Sequence, residues 1–217
     1  MKLLLTSAGL SNKSIKKAFL KLVGKPAKKI KVAFIPTASN IEEGDKCWLI
    51  EDLKTLQNMG FAQVDILDIA AVPKIIWESR LYKADVLFFG GGNTFYLMHW
   101  IKKSGLQEIL TDLLKSRVWV GISAGSMVPG VGLINNEERF IAKNIVNEDE
   151  GLNGLSYIDF SLMPHYYSPL FKNSDEISAA RIAKQFKEPM YAIDDNSAIV
   201  IDGNRFEVVS EGRWKKF

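Results

Sequence analysis

The segment VWVGISAGSMV, residues 118–128, is the strongest local indication of the fold of this chain. Its apolar run ends in Gly121-Ile122-Ser123-Ala124-Gly125, so a serine stands between two glycines just before small residues that can begin a helix. The pattern G-x-S-x-G between a strand and a helix is typical of a nucleophile elbow, a sharp turn that exposes a serine hydroxyl. The alternative is that Ser123 only caps the following helix.

Upstream of this segment, short apolar runs alternate with amphipathic stretches. The runs predict strands at residues 2–8, 30–38, 62–70, 84–92 and 117–123. The amphipathic stretches predict helices at residues 14–24, 42–59, 74–83, 93–103 and 106–116. Continuous apolar strands alternating with helices indicate an α/β fold, a doubly wound and mainly parallel sheet with helices on both faces.

The pattern changes after residue 130. Shorter strands are predicted there, one of them in FSLMPHY (residues 160–166), and a helix is predicted near residues 174–186. Residues 190–210 predict a closing β-hairpin with its turn at 202–204. With no repeat or linker in the sequence, we expect one domain over residues 1–217.

Composition excludes several functions. The chain has 217 residues, 28 basic and 25 acidic residues, a net charge of +3 and 47% hydrophobic residues. Its lysines are scattered and no aromatic-and-basic motif accompanies them, so we expect no nucleic-acid partner. No apolar run reaches the roughly 18 residues of a membrane span, and the apolar N-terminal run is too short for a signal peptide, so we expect a cytoplasmic protein without a membrane partner.

Cysteine and histidine are scarce. The lone Cys47 rules out an intrachain disulfide, and its helical surroundings predict a small core residue. One cysteine and two histidines argue against a zinc site, so we expect no metal.

A second glycine-marked strand end, Gly90-Gly91-Gly92-Asn93-Thr94, precedes another helix. Ligands of open parallel sheets bind beyond the carboxyl ends of the strands, where both glycine turns are expected. An oxyanion needs two backbone N–H donors, and Ala124 and Gly92 are the candidates. A phosphate loop is the alternative, but the triplet lacks the P-loop lysine and the GxGxxG spacing.

A serine nucleophile needs a base. His99 lies at least one helical turn past the second glycine turn, which favours a structural role. His165 ends an apolar run and can stand at the same sheet edge as Ser123, so it is the better candidate, with a half-buried structural histidine as the alternative.

The acid that orients the base is expected between Ser123 and His165. The carboxylates in that interval are Glu137, Glu138, Glu148, Asp149, Glu150 and Asp159. Glu137 and Glu138 lie in a predicted short hairpin near the elbow, where neighbouring residues point to opposite faces, so only one can serve. Asp194 and Asp195, at another strand end, are the reserve candidates.

Four stretches together carry a family resemblance: FFGGGNTFYL, GISAGS, MPHYYS and AARIAKQF. Over about residues 30–205 the chain resembles the peptidase E family of serine peptidases, the alpha-aspartyl dipeptidases. The wider group includes cyanophycinase-like enzymes and shares a flavodoxin-like fold with class I glutamine amidotransferases. An α/β-hydrolase is disfavoured, because only 42 residues separate Ser123 from His165 and no HGGG-type loop precedes the elbow.

The resemblance implies roles for particular residues. The family nucleophile falls on Ser123, and the histidine of its Asn-Pro-His motif falls on His165, although this chain has Met163 at the first position. The oxyanion donors fall on Gly92 and Ala124. The triad acid, about fifteen residues after the serine, falls on Glu137 or Glu138 depending on the alignment. The resemblance also implies that the reaction needs no cofactor and no metal.

Substrate recognition is where the chain departs from the family. The family carries two arginines three residues apart on the helix after the histidine; here Arg181 matches the second and Ser178 stands at the first position. Asp175 and Glu176 lie close by and would repel an acidic side chain. We therefore expect no strict preference for N-terminal Asp, and we expect Arg181 and Asn93 to contact the substrate.

The sequence thus predicts a cytoplasmic serine exopeptidase or dipeptidase that acts on small peptides, as a monomer or homodimer. Two alternatives stay open at this point. One is a hydrolase of another acyl substrate, such as a cyanophycin-like peptide. The other is a non-catalytic module that binds small molecules on the amidotransferase-like fold.

Overall fold

The computed structural model describes residues 1–134, 142 and 153–217. Its strands are β1 (Lys2–Thr6), β2 (Lys31–Ile35), β3 (Gln63–Ile66), β4 (Val86–Phe89), β5 (Val118–Ile122), β6 (Ser161–Met163), β7 (Met190–Ile193), β8 (Ser197–Asp202), β9 (Arg205–Ser210) and β10 (Trp214–Lys216). Its helices are α1 (Lys13–Val23), α2 (Cys47–Asn58), α3 (Lys74–Lys83), α4 (Thr94–Lys103), α5 (Leu106–Leu113), α6 (Ala124–Met127) and α7 (Glu176–Ala183), with two short 3₁₀ turns at Ala27–Lys29 and Thr37–Ser39.

Seven strands form the main sheet in the order β3-β2-β4-β5-β1-β8-β9. The first five in this order pair in parallel, whereas β8 and β9 join as antiparallel strands. The predicted α/β fold with a mainly parallel, doubly wound sheet is confirmed. Parallel strands end at one edge, so the loops after β1, β4 and β5 lie side by side there.

Two hydrophobic cores cover the two faces of this sheet. The first core contains the buried side chains of α3, α4 and α5 together with Trp119 of β5. The second core contains those of α1 and α2 together with Val118, Val120 and Ile122 of β5. Alternate residues of β5 therefore enter opposite cores, as the pleat of a strand buried on both faces requires.

The short strands near the C-terminus form a second sheet that the sequence did not indicate. Its order is β10-β7-β6, with β6 parallel and β10 antiparallel to β7. The prediction of one closing hairpin over residues 190–210 is therefore wrong in part. The hairpin consists of β8 and β9 around Gly203-Asn204, while β7 leaves the main sheet and pairs with β6.

Helix α2 begins later than predicted, at Cys47 and not near residue 42. The prediction that Cys47 is a core residue is wrong, because its position in the first turn leaves it exposed. Its backbone N–H donates to Asp45 Oδ1 at 3.0 Å, which holds the start of the helix.

Candidate functional site

Ser123 stands at the turn between β5 and α6 with φ 47° and ψ −108°. This conformation is strained for a residue with a side chain, and such strain is concentrated at functional sites. The Ser123 side chain makes no capping hydrogen bond to α6, so the helix-cap alternative finds no support. The turn holds the hydroxyl out from the backbone, as an elbow does.

The flanking glycines are required by close backbone contacts. A Cβ atom on Gly121 would lie 2.3 Å from the carbonyl oxygen of Gly125. A Cβ atom on Gly125 would lie 2.2 Å from the carbonyl oxygen of Phe89. Both distances are far below van der Waals contact, so the sharp turn depends on glycine at both positions.

Hydrogen bonds from β1 hold the elbow in place. The Ser123 N–H donates to the Thr6 carbonyl at 3.0 Å, and the Thr6 hydroxyl donates to the Gly121 carbonyl at 2.6 Å. The Ser126 hydroxyl donates to the Thr6 carbonyl at 2.7 Å and accepts from the Thr6 N–H at 2.8 Å. Sequence reasoning missed Thr6 and Ser126, because their partners are more than a hundred residues away along the chain.

His165 lies beside the serine, as predicted. Its Nε2 atom is 3.0 Å from Ser123 Oγ. The backbone N–H of His165 donates to Ser7 Oγ at 2.9 Å, and the Ser7 hydroxyl donates to the Ile193 carbonyl at 2.8 Å. Ser7, which follows β1, therefore ties the histidine to both sheets.

The other ring nitrogen of His165, Nδ1, is 2.7 Å from Asp195 Oδ1. Asp195 follows β7, and its backbone carbonyl accepts from the Ser11 hydroxyl at 2.8 Å. Asp194, the other reserve candidate, accepts from the Ser197 hydroxyl at 2.5 Å instead. Glu137 and Glu138 lie outside the described residues, but Asp195 already occupies the nitrogen that an orienting acid would bind.

Burial alone would raise the pKa of Asp195, but the hydrogen bond from His165 and the nearby imidazole charge outweigh it and lower the pKa. The Ser168 hydroxyl also lowers it, although its geometry falls short of a hydrogen bond. An ionised carboxylate only accepts, so the hydrogen of a neutral His165 ring resides on Nδ1. Nε2 is then free to accept the proton of the Ser123 hydroxyl.

The glycine triplet borders the serine on its other side. A Cβ atom on Gly91 would lie 3.5 Å from the Cβ atom of Ser123. Gly92 has φ 122°, and a Cβ atom there would lie 2.3 Å from the carbonyl oxygen of Ala38. Among the described residues, no acceptor is found for the N–H groups of Gly92 and Ala124, which leaves both available to a ligand.

Two aromatic rings lie beside His165 and the glycine triplet. Phe171 stacks on the His165 ring with a centroid distance of 3.9 Å and an interplanar angle of 6°. Trp48 of α2 lies beside Gly91, with its Cζ3 atom 3.8 Å from the position of a Cβ atom on that glycine. Both rings are partly exposed, so they present apolar surface beside the glycine triplet and the histidine.

The two residues expected to contact substrate, Asn93 and Arg181, differ in their exposure to solvent. Asn93 is fully buried, and its Oδ1 atom caps α4 by accepting from the Tyr96 N–H at 3.0 Å. Arg181 is exposed in the last turn of α7. Ser178 lies in the first turn of that helix, where its N–H donates to the capping Asp175 Oδ1 at 2.7 Å.

His99 is buried within α4, edge-on to Trp100 with a centroid distance of 5.7 Å. This position suits the structural role predicted for it. In the part of the chain that the structure describes, no cluster of three histidine, cysteine, aspartate or glutamate side chains could hold a metal ion. Within the same part, every helix is too short or too polar to cross a bilayer.

A serine hydroxyl, an imidazole and a carboxylate in one row at the carboxyl edge of a parallel sheet are typical of serine hydrolases. Comparison with known families agrees: the chain matches the model of peptidase family S51 over residues 3–209 and belongs to that family. It is a serine-type peptidase related to peptidase E.

Individual relatives and a solved structure are also named as peptidases. The uncharacterized peptidase Lmo0363 of Listeria monocytogenes is 32% identical over 184 residues, which cover 83% of this chain and 85% of the relative. Peptidase E of Shewanella oneidensis is 28% identical over 140 residues, which cover 62% of this chain and 57% of the relative. A crystal structure of a Listeria monocytogenes protein assigned to peptidase E aligns with a TM-score of 0.76 and 26% identity, covering 97% of this chain and 98% of the other.

Proposed function

We propose that this peptidase is an exopeptidase or dipeptidase that hydrolyses small peptides through an acyl-enzyme formed on Ser123. The observation that carries the proposal is the unbroken row from Ser123 Oγ to His165 Nε2 at 3.0 Å and from His165 Nδ1 to Asp195 Oδ1 at 2.7 Å. The same contact between serine and histidine counts against a non-catalytic binding module, which has no need of it.

In the first half of the reaction, Ser123 Oγ attacks the carbonyl carbon of the scissile bond while His165 Nε2 takes the hydroxyl proton. The carbonyl oxygen becomes an oxyanion, for which the N–H groups of Gly92 and Ala124 are the proposed donors. When the C–N bond breaks, His165 returns the proton to the leaving amine, and the acyl group stays on Ser123.

In the second half, water attacks the acyl-enzyme and loses a proton to His165, which then protonates Ser123 Oγ as the carboxylic acid product leaves. Asp195 accepts from Nδ1 throughout and stabilises the imidazolium that forms twice per cycle. We therefore assign the orienting role to Asp195 in place of Glu137 or Glu138.

We further propose that the enzyme lacks strict specificity for an N-terminal aspartate. Arginine holds a carboxylate best because its fork makes two parallel hydrogen bonds, and Ser178 replaces one of the two family arginines. The rings near the serine, Trp48 and Phe171, are apolar. Two other cations could hold an acidic side chain, Lys172 and Arg139; Lys172 is exposed, and Arg139 lies outside the described residues.

Covalent labelling and substrate turnover, measured on the same enzyme preparation, test the serine mechanism. A fluorophosphonate probe should label the wild type on the peptide that contains Ser123, and Ser123→Ala should abolish the label. Ser79→Ala, an exposed serine on α3, is the matched control and should label normally. Turnover by Ser123→Ala at the wild-type rate would contradict the serine mechanism.

Dipeptides of the form X-Leu, with X as Asp, Ala or Leu, test the specificity. We expect Ala-Leu or Leu-Leu to be hydrolysed with a kcat/KM within about tenfold of Asp-Leu. A preference for Asp of about 100-fold or more corresponds to about 2.7 kcal/mol of carboxylate recognition and would overturn the proposed specificity.

A further inference from the structure

The loop that follows β6 folds back on its own start and brings Phe171 over His165. The Ser168 N–H donates to the His165 carbonyl at 2.9 Å. The Ser168 carbonyl in turn accepts from the Phe171 N–H at 3.3 Å and from the Ser174 hydroxyl at 3.0 Å. A further hydrogen bond, from the Tyr167 N–H to the Ser174 carbonyl at 2.7 Å, closes the loop. These bonds fix the position of Phe171 relative to the histidine.

The Phe171 ring lies flat on the imidazole, with 3.9 Å between the centroids and 6° between the planes. The His165 side chain is only 14% exposed, whereas Phe171 is 48% exposed. A large apolar side chain that serves only to fill a core is normally buried. Phe171 instead leaves about half of its surface in water while one face covers the imidazole, so its position needs a reason beyond packing.

The stack complements the two hydrogen bonds of the imidazole. The contacts of Nε2 with Ser123 and of Nδ1 with Asp195 act within the plane of the ring. A flat ring against the face resists tilting out of that plane, which would lengthen both contacts. Phe171 therefore restrains the one direction that the serine and the aspartate leave free.

The stack also changes in strength during the reaction. The face of an aromatic ring carries partial negative charge and attracts a cation that lies within about 6 Å of its centroid. In the proposed mechanism His165 is neutral before the attack and becomes an imidazolium as Ser123 loses its proton. The attraction to Phe171 is thus stronger in the transition state than in the ground state, and only such interactions raise kcat.

We propose that Phe171 is a positioning residue that acts through His165: its ring holds the plane of the imidazole and stabilises the imidazolium. This inference rests on the proposed function, because it assumes that His165 takes and returns the serine proton. The aromatic face carries the effect, so an apolar side chain without such a face cannot replace it. The contribution falls on kcat and leaves KM unchanged.

Steady-state hydrolysis of Ala-Leu, measured as release of leucine, tests the inference. Phe171→Leu keeps an apolar side chain but lacks the aromatic face, so kcat should fall about fivefold or more while KM stays within about twofold. Phe171→Tyr keeps the face and can turn its hydroxyl to solvent, so kcat should stay within about twofold of the wild type. Leu170→Ala, the adjacent residue and 86% exposed, is the matched control and should leave both constants unchanged.

A wild-type kcat in Phe171→Leu, an equal loss in Phe171→Leu and Phe171→Tyr, or a loss confined to KM would overturn the inference. Circular dichroism checks the folding of each variant. If Phe171→Leu unfolds, Phe171→Met, which is also apolar and lacks an aromatic face, supplies the same comparison. Fluorophosphonate labelling of the wild type at Ser123 separates the two failures: if the wild type is labelled and hydrolyses Ala-Leu but Phe171→Leu matches it, only the role of Phe171 falls.

Discussion

At the scale of the residue, the acid that orients His165 differs most from the sequence-based expectation. The resemblance pointed to a glutamate between Ser123 and His165, and the described structure has Asp195 on the histidine instead. Nothing in the local sequence of Asp195 distinguishes it from Asp194. The two differ only through tertiary contacts: Asp194 bonds Ser197, while Asp195 reaches across to another loop.

Asp195→Asn should therefore lower kcat by about 10³-fold to 10⁴-fold, because the amide favours the wrong tautomer of His165. Steady-state hydrolysis of a dipeptide gives the number, with circular dichroism as the check on folding. Glu137→Gln and Glu138→Gln should stay within a few-fold of the wild type. A large loss in either glutamate variant together with a near-normal Asp195→Asn would return the acid to the glutamate pair.

At the scale of the element, the strand–elbow–helix unit was predictable, whereas its supports were not. G-x-S-x-G after an apolar run indicates the turn from the sequence alone. The bonds that hold it join Thr6, the last residue of β1, to Gly121 and Ser126. Thr6 and Ser126 carry no local signal, because their roles depend on which strand becomes the neighbour of β5.

Gly125→Ala should destabilise this unit, since its Cβ atom would overlap the Phe89 carbonyl oxygen at 2.2 Å. We expect a loss of about 2–4 kcal/mol in the free energy of unfolding, at the upper end of single substitutions, measured by urea titration. Gly60→Ala is the control: φ is 66° but no atom lies within 4 Å, so strain alone should cost about 1–2 kcal/mol. Equal losses in the two variants would refute the packing argument.

At the scale of the whole molecule, alternating strands and helices through residue 123 predicted the main sheet well. Continuous apolar strands have few alternatives to burial on both faces. The second sheet escaped prediction because its strands have only three or four residues and pair across long separations in the chain. That sheet is also what brings His165 and Asp195 to the edge where Ser123 lies, so the site depends on the least predictable part of the fold. A single domain, the cytoplasmic location and the monomer or homodimer stay predictions.

The partly buried carboxyl group of Asp52, on α2, should show in the stability of the entire fold. Its folded pKa of about 7 lies above that of the unfolded chain, so the native state holds the extra proton. The stability from this group is present below about pH 4 and is lost as pH rises through 7. Asp52→Asn should match the wild type at pH 4 and exceed it by roughly 2–4 kcal/mol at pH 8 in urea unfolding. Glu51→Gln should follow the wild-type curve, and an Asp52→Asn curve parallel to the wild type across this range would contradict the prediction.

The central claim is that Ser123 carries the acyl group during turnover, and rapid acid quenching followed by mass spectrometry tests it most directly. The enzyme would be mixed with a p-nitrophenyl ester of a short peptide, quenched in the pre-steady state and digested. We predict an added acyl mass on the peptide that contains Ser123, a matching burst of p-nitrophenol, and neither in Ser123→Ala. Acylation of another residue, or a burst of the same size in Ser123→Ala, would contradict the account.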